Sequence, residues 1–248
     1  MLHENYLAGS IYHMTHFDNL PSIFMQGALL SKEILTRRNL YEHSIAYDSV
    51  QDLRDRISIW DSFEQHYRKL HSYVPFYFAK YPPMSYVQRT RGILDDIVFL
   101  VVGRSILNDR GVLFTDGNAS MQQLSRTSGE KVGIMPATKD KLCSRRYIPG
   151  GPYGTNQNFS NFYSDVMFLE TFDWEVINCV RRMEPFEEDK RMRSAEVLVP
   201  DRLSLSNIDH ITVRTEKMAR TVNTIAQEYG LAGFASFVTV DPSLFILP

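Results

Sequence analysis

Residues 97–102 read IVFLVV, six apolar side chains in succession. An extended chain points neighbouring side chains to opposite faces, so this run offers water nothing on either side. It must be a strand covered above and below, bounded by Asp95-Asp96 before it and Gly103 after it. At six residues it is far too short to cross a bilayer, which takes about 20 apolar residues. A chain built around such a strand needs further strands beside it and packed material on both faces.

Those neighbours are legible by alternation. IYHMTH (11–16), VPFYFA (74–79), MFLETF (167–172), SAEVLV (194–199), HITVRT (210–215) and ASFVTV (235–240) all read as strands. Helical spacing appears in three places. DNLPSIFMQG predicts a short helix capped by Asp18, with Pro21 tolerated early and Gly27 as its stop. Ile57, Trp60, Phe63, Tyr67 and Leu70 fall on one helical face, and so do Met218, Val222, Ile225 and Tyr229 in the segment ended by Gly230. Residues 31–56 are polar and basic, an excursion over the surface, and 104–162 are rich in Gly, Asn, Ser, Thr and Pro, mostly loop. Short strands, few helices and long loops without a linker predict one α+β domain over 1–248.

Composition narrows the classes. A hydrophobic content of 44% and an aromatic content of 12% supply a core and exclude a disordered chain. With 27 basic and 29 acidic residues, bulk electrostatic coating of nucleic acid is excluded, although local clusters such as KDKLCSRR (139–146) remain. Cys143 and Cys179 lack ligand spacing and read as free thiols of a reducing compartment; with no signal-like N-terminus, the expectation is a cytoplasmic protein. There is no P-loop, no dinucleotide glycine fingerprint, no HExxH and no GxSxG. The seven histidines show no metal-ligand spacing, and His13 and His16 fall on opposite faces of their strand, so no metal is expected.

Three stretches stand out. IYHMTH sets His13 between Tyr12 and Thr15 in an otherwise apolar strand. HSYVPFYFAKYPPMSY (71–86) crowds aromatics around Pro75, Pro82 and Pro83. RMRSAEVLVP (191–200) places Glu196 at the mouth of a strand that is apolar on both sides. A carboxylate there is costly unless it is paired or used. It either pairs with Arg191 or Arg193, stays solvated at the strand's start, or does chemistry; spacing alone leaves these open. A core imidazole and core aromatics remain the structural alternatives for the other two stretches.

Taken in order, IYHMTHxDNLxxI, HxxVPFYFxxxxPM, FTDGNA (114–119) and RxRSAEVLVP resemble the DarT-type DNA ADP-ribosyltransferases, toxins of bacterial toxin–antitoxin (DarT/DarG) pairs. The resemblance spans about residues 11 to 200 and rests on several separated motifs in the family's order. It implies an ADP-ribosyltransferase-like domain with a central, mostly antiparallel, split β-sheet, flanking helices and long loops. It implies transfer of ADP-ribose from NAD to a base of single-stranded DNA, most simply thymidine, with release of nicotinamide. It also implies a macrodomain antitoxin that removes the ADP-ribose.

Residue by residue, the resemblance assigns Glu196 as the catalytic carboxylate and His13, Met14 and Thr15 as the strand that grips NAD. Asn19, Ser22 and Leu30 would border the rest of the cofactor. Within the loop that closes over NAD, Arg54 matches the catalytic arginine, with Arg56 as its rival. A guanidinium stays protonated to above about pH 12, so its role is to neutralise a base anion rather than to take a proton. Stacking aromatics with cations suit single-stranded nucleic acid, and Arg145, Arg146, Tyr147, Tyr153 and Arg193 are the candidate DNA contacts, with Phe159, Phe162 and Tyr163 interleaved. The acceptor could instead be guanine, RNA or a protein arginine, and a non-catalytic nucleic-acid-binding module is the alternative from another class.

Overall fold

The IVFLVV run becomes the strand Ile97–Gly103, buried from Ile97 through Val102, inside an eight-stranded sheet. The computed structural model describes residues 2–61, 64–120, 160–178 and 192–245. Along the chain the described strands are β1 (Ser10–His16), β2 (Ala28–Leu30), β3 (Ser58–Asp61), β4 (His66–Lys69), β5 (Tyr73–Tyr77), β6 (Ile97–Gly103) and β7 (Leu113–Thr115). There follow β8 (Phe162–Tyr163), β9 (Glu196–Pro200), β10 (Arg202–Ser204), β11 (His210–Val213) and β12 (Val238–Val240). The helices are α1 (Leu2–Leu7), α2 (Leu20–Gln26), α3 (Lys32–Arg37), α4 (Asp48–Asp55), α5 (Pro83–Thr90), α6 (Trp174–Ile177) and α7 (Glu216–Glu228).

The sheet runs β12-β11-β6-β1-β5-β9-β7-β8, and every pairing is antiparallel except β11 with β12. β1 is zipped to β6 along its whole length, from Ser10↔Gly103 to His16↔Ile97, but meets β5 only at Tyr12↔Tyr77. Past that pair the sheet opens. Pro75 carries no N–H to donate to a ladder, and its carbonyl accepts instead from the His13 imidazole at 2.8 Å. The resulting split is what the candidate site uses.

Two-residue alternation sorts the sheet's faces. Ile11, Phe76, Leu100 and Val197 point into the main core, where α2 and α7 lie. Met14, Phe99 and Val101 face a smaller cluster closed by Leu244 and Phe245, and Leu198 faces a third with Ile57, Ile59, Leu70, Ala119 and Phe162. Glu196 shares its side of β9 with Leu198 and stands opposite Tyr77 on β5. His13 lies on the other side, its ring 5.4 Å from that of Phe76.

Local signals account for the helices that sequence anticipates. Pro21 begins α2 and Gly27 ends it at φ 61°, a left-handed conformation that glycine adopts without a Cβ penalty. Thr215 caps α7 by accepting from the Met218 N–H at 3.1 Å, and α7 buries Met218, Ala219, Val222 and Ala226, while Tyr229 stays exposed.

Other expectations are corrected. The described part of 57–70 forms no α-helix: β3 and β4 pair antiparallel with Trp60↔Tyr67 in register, and Gln65, just before β4, has φ 54°. The pair Ile57 and Ile59, two residues apart and both buried, carries the strand period, and Ile57, Ile59 and Trp60 favour the pleated form. MFLETF is a 3-10 turn, Val166–Thr171, because Asp165 accepts from the Met167 N–H at 3.0 Å and winds the chain. ASFVTV is a 3-10 turn up to Phe237 and a strand only from Val238. Asp18 does not cap α2; the His16 ring accepts its N–H at 3.2 Å instead. The polar excursion holds α3 and α4, and α5 starts at Pro83 in the aromatic–proline stretch.

Leu100, fully buried on β6, tests this centre. Leu100→Ala is expected to lose about 2–5 kcal/mol of unfolding free energy, read as a shifted urea midpoint at unchanged slope. A loss below about 1 kcal/mol would contradict a close-packed centre.

Candidate active site

β9 presents Glu196 at its first position, and α4 presents Arg54 in its last turn. The two meet inside the protein, with Glu196 at 2% and Arg54 at 8% exposure. Glu196 Oε2 accepts from Arg54 Nη1 at 2.9 Å. Oε1 accepts from the same nitrogen at 3.2 Å and from the Ala119 N–H at 3.0 Å. Among the described residues the cation on Glu196 is therefore Arg54 and not Arg193, Arg56 is exposed at the end of α4, and Arg191 lies outside the described residues. A buried charge pair is tolerable only when both partners are satisfied, because each ion has lost its water.

A cleft opens from this pair through the split in the sheet. His13, Met14, Thr15, Asn19, Ser22, Leu30, Arg54 and Glu196, the residues the motifs associate with NAD and catalysis, all line it. It is also lined by His71, Tyr77, Met84 and Asn118, which stand in the quoted motifs without an assigned role, and by Tyr41, Glu42, His43, Ser44, Ile45, Ala46, Gln51 and Tyr73, which sequence reading did not single out. Residues 41–46 and Gln51 lay in the excursion assigned to the NAD-covering loop, but no spacing marked them individually.

His13 is held in one form. The Pro75 carbonyl can only accept, so Nδ1 carries the proton and Nε2 keeps its lone pair. Burial pushes the imidazole below its ordinary pKa of 6.5, so the ring is neutral at neutral pH. Tyr77 is moved the other way. Burial, and then the neighbouring Glu196 charge, raise its phenol pKa well above 10.0, so its hydroxyl stays protonated.

Asn19 acts on the cleft through a loop. Its Nδ2 donates to Thr15 Oγ1 at 2.8 Å and to the His43 carbonyl at 3.0 Å, while its Oδ1 accepts the His43 N–H at 2.7 Å. The far end of that loop is held from α5 and its C-terminal flank. The Ile45 carbonyl accepts from Gln88 Nε2 at 3.0 Å and from Arg91 Nη1 at 2.7 Å, and the Arg91 guanidinium lies 4.0 Å over the Tyr47 ring. Asn19 is thus a peg for the loop wall, its amide already engaged, rather than a side chain left open to a ligand.

Among the described residues His16, Asp18 and His43 form a group that could hold a metal ion, contrary to the scattered spacing of the histidines. The two imidazoles are stacked at 3.8 Å and 15°, both Nδ1 atoms face Asp18 Oδ2, at 3.2 Å from His16 and 3.3 Å from His43, and the Asp18 N–H also lies on His16 Nδ1.

The candidate DNA contacts fare differently. Arg145, Arg146, Tyr147 and Tyr153 lie outside the described residues, as do Phe159 and both cysteines. Arg193 is 4% exposed and donates to the Tyr81 carbonyl at 2.7 Å, an internal placement rather than the exposed one expected of a DNA contact. Phe162 and Tyr163 are core residues at 3% and 5% exposure, not stacking platforms. No described helix is long and apolar enough to cross a membrane.

Two measurements follow from this geometry. Burial lowers the pKa of His13, His16 and His71 alike. Their neutral forms contribute stability that is fully present above 6.5, the ordinary value, and lost as pH falls towards the depressed folded values. Stability is expected to fall from pH 7.5 to 5.5, and less steeply in His13→Gln; an identical slope in both proteins would contradict a neutral His13. Arg54→Ala strands a buried carboxylate and is expected to cost about 3–5 kcal/mol. Adding Glu196→Gln should return part of that loss, whereas simple additivity in chemical denaturation would contradict the pairing.

Known proteins resemble this chain in sequence and in fold. A family model described as ssDNA thymidine ADP-ribosyltransferase, DarT, matches residues 12–147 and 154–246. A DNA ADP-ribosyl transferase of Thermus sp. (strain 2.9) is 25% identical over 226 residues, 88% of each chain. A DNA ADP-ribosyl transferase-DNA ADP-ribosyl glycohydrolase fusion protein of Thermosipho africanus is 29% identical over 119 residues, 46% of this chain and 28% of that one. The solved Thermus sp. 2.9 DarT in complex with ADP-ribosylated ssDNA superposes with a TM-score of 0.72 at 23% identity, covering 96% of this chain and 97% of that one. The same protein in complex with NAD+ gives 0.67 at 22% identity, covering 96% and 98%. With the family model matched over nearly the whole chain, this protein belongs to the DarT family of single-stranded-DNA thymidine ADP-ribosyltransferases.

Proposed function

We propose that this chain, acting as one domain over 1–248, transfers ADP-ribose from NAD to thymidine in single-stranded DNA and releases nicotinamide. The observation that carries the reading is the buried Arg54–Glu196 pair on the wall of a cleft lined by the motif-derived NAD residues. NAD is a substrate, and the nicotinamide–ribose bond breaks with its electron pair leaving on nicotinamide, already a good leaving group. The difficulty is the positive charge left on the ribose, and Glu196 set against the ribose hydroxyls stabilises it. No second acid is needed to protonate the leaving group. Neutral His13 and the backbone of residues 13–15, which face the split rather than a β5 ladder, suit the amide and hydroxyl groups of the donor.

The acceptor base loses its N3 proton to solvent water as its nitrogen bonds to the ribose carbon that nicotinamide has left, and Arg54 neutralises the developing anion. Its bonds to Glu196 run through Nη1 alone, and in this reading the pair opens at Oε2 when donor and base arrive, the ribose hydroxyls taking the place of Nη1. A base that reacts at its edge must also be unpaired and turned out of a stack, which single-stranded DNA permits. We place the reaction in the cytoplasm, opposed by an antitoxin of the macrodomain kind that removes ADP-ribose from DNA. The fusion of transferase and glycohydrolase in the Thermosipho relative supports that pairing of activities.

Incubation with NAD and mixed-sequence single-stranded oligonucleotides, followed by mass spectrometry, tests the reading. An ADP-ribose adduct on thymine is expected from the wild type, with at least a 100-fold loss, roughly, in Glu196→Gln, which keeps the shape and removes the charge. An adduct on guanine would move the chemistry to another base. Modification of RNA or protein alone would overturn the DNA assignment, and full activity in Glu196→Gln would overturn the role of the carboxylate.

A further inference from the structure

FTDGNA (114–119) is a motif whose role the reaction scheme leaves unassigned. In the structure it wraps around the base of Glu196. β7 pairs with β9 through Phe114↔Val197, and the Glu196 N–H donates to Thr115 Oγ1 at 3.1 Å. The Thr115 hydroxyl donates in turn to the Gly117 carbonyl at 2.6 Å, which folds the chain back so that the Ala119 N–H reaches Glu196 Oε1. Asp116 stands on the outside of this turn. Its Oδ1 accepts the Asn161 N–H at 2.8 Å, and its Oδ2 accepts from Asn161 Nδ2 at 2.7 Å and from the Tyr163 hydroxyl at 3.2 Å. Ser160 adds a hydroxyl bond to the Asn118 carbonyl at 2.7 Å, and Tyr163 stacks on Phe114 with centroids 5.5 Å apart. The turn that supplies the Ala119 N–H is therefore fastened to residues 160–163 largely through one carboxylate, in charge-assisted bonds.

The two oxygens of Glu196 differ in consequence. Oε2 is held by Arg54, and Oε1 by both Arg54 and Ala119. When Arg54 turns to the substrates, Oε2 is released towards the ribose while the Ala119 N–H still fixes Oε1. We propose that Asp116 is a positioning residue for the reaction: by locking the 116–119 turn to Asn161 and Tyr163, it keeps the Ala119 N–H on Glu196 and so sets the orientation of the catalytic carboxylate once Arg54 has let go. This rests on the role given to Glu196 above. A displacement of about 1 Å at such a group can cost about 100-fold in rate, whereas the NAD-lining residues of β1 and α2 are untouched by it.

Steady-state kinetics of Asp116→Ala, Asp116→Asn and the exchange Asp116→Asn/Asn161→Asp test the assignment. In the exchanged pair the amide at 116 can accept the backbone N–H of 161 and donate to the carboxylate there, restoring the fastening. The single variants are expected to lose about 10–100-fold in kcat with KM for NAD within about threefold, and the exchange to recover most of kcat. Wild-type kcat in a folded single variant, a lowered melting temperature with kcat unchanged, or a change in KM alone would overturn the proposal. If Asp116→Ala fails to fold, Asp116→Asn and the exchange decide the question. Nicotinamide release without DNA is measured in parallel. A wild type that cleaves NAD but leaves DNA unmodified would contradict the acceptor, and the Asp116 comparison would still be read on NAD cleavage.

Discussion

One ion pair organises the interior of this protein. Arg54 and Glu196, 142 residues apart in sequence, bring α4 and β9 together through charges that have given up their water. Neither can be left alone there. The surroundings supply what a buried pair requires: a backbone N–H from Ala119 on the carboxylate, Tyr77 across the strand with its hydroxyl kept protonated, and apolar packing from Leu198, Ile57 and Ile59. The same satisfaction that makes the pair tolerable also covers the carboxylate. In the proposed reaction a substrate replaces Arg54 as its partner at Oε2, which ties catalysis to binding.

The split sheet is the second half of the design. β1 is held rigidly along β6, so the strand can leave β5 after a single pair without losing its place. Pro75 removes a ladder donor where the gap begins, and His13 fills the vacancy with a side-chain bond across the opening. His13 and Glu196 project from opposite sides of the sheet, and only the opening lets both reach one cleft. The loop wall over that cleft is fixed at His43 by Asn19 and at Ile45 by Gln88 and Arg91, without a ligand's help.

Much of this was legible in the sequence, but unevenly. β1, β5, β6, β9 and α7 follow from periodicity because each is long enough for one period to win and is bounded by proline, glycine or a capping threonine. The β3–β4 pair and the Val166–Thr171 turn depart from the periodic reading because few residues carry each pattern: Ile59, outside the helical spacing, is the buried partner of Ile57, and an Asx cap at Asp165 winds the turn. The motifs in order identified the residues lining the cleft, but not their connections. That Arg54 pairs with Glu196, that Asn19 spends its amide on His43, and that Arg193 turns inward to Tyr81 are long-range facts with no local signature. Asp116 sat in a quoted motif, yet its partners at 161 and 163 emerge only when β7 and β8 pair.

The measurement that bears most directly on this account is a crystal structure of the protein with a non-hydrolysable NAD analogue in the cleft. Displacement of Arg54 from Glu196 Oε2, with the ribose hydroxyls in its place and the Ala119 N–H still on Oε1, is the predicted result. A bound analogue that leaves the Arg54–Glu196 pair intact, its ribose away from the carboxylate, would contradict it.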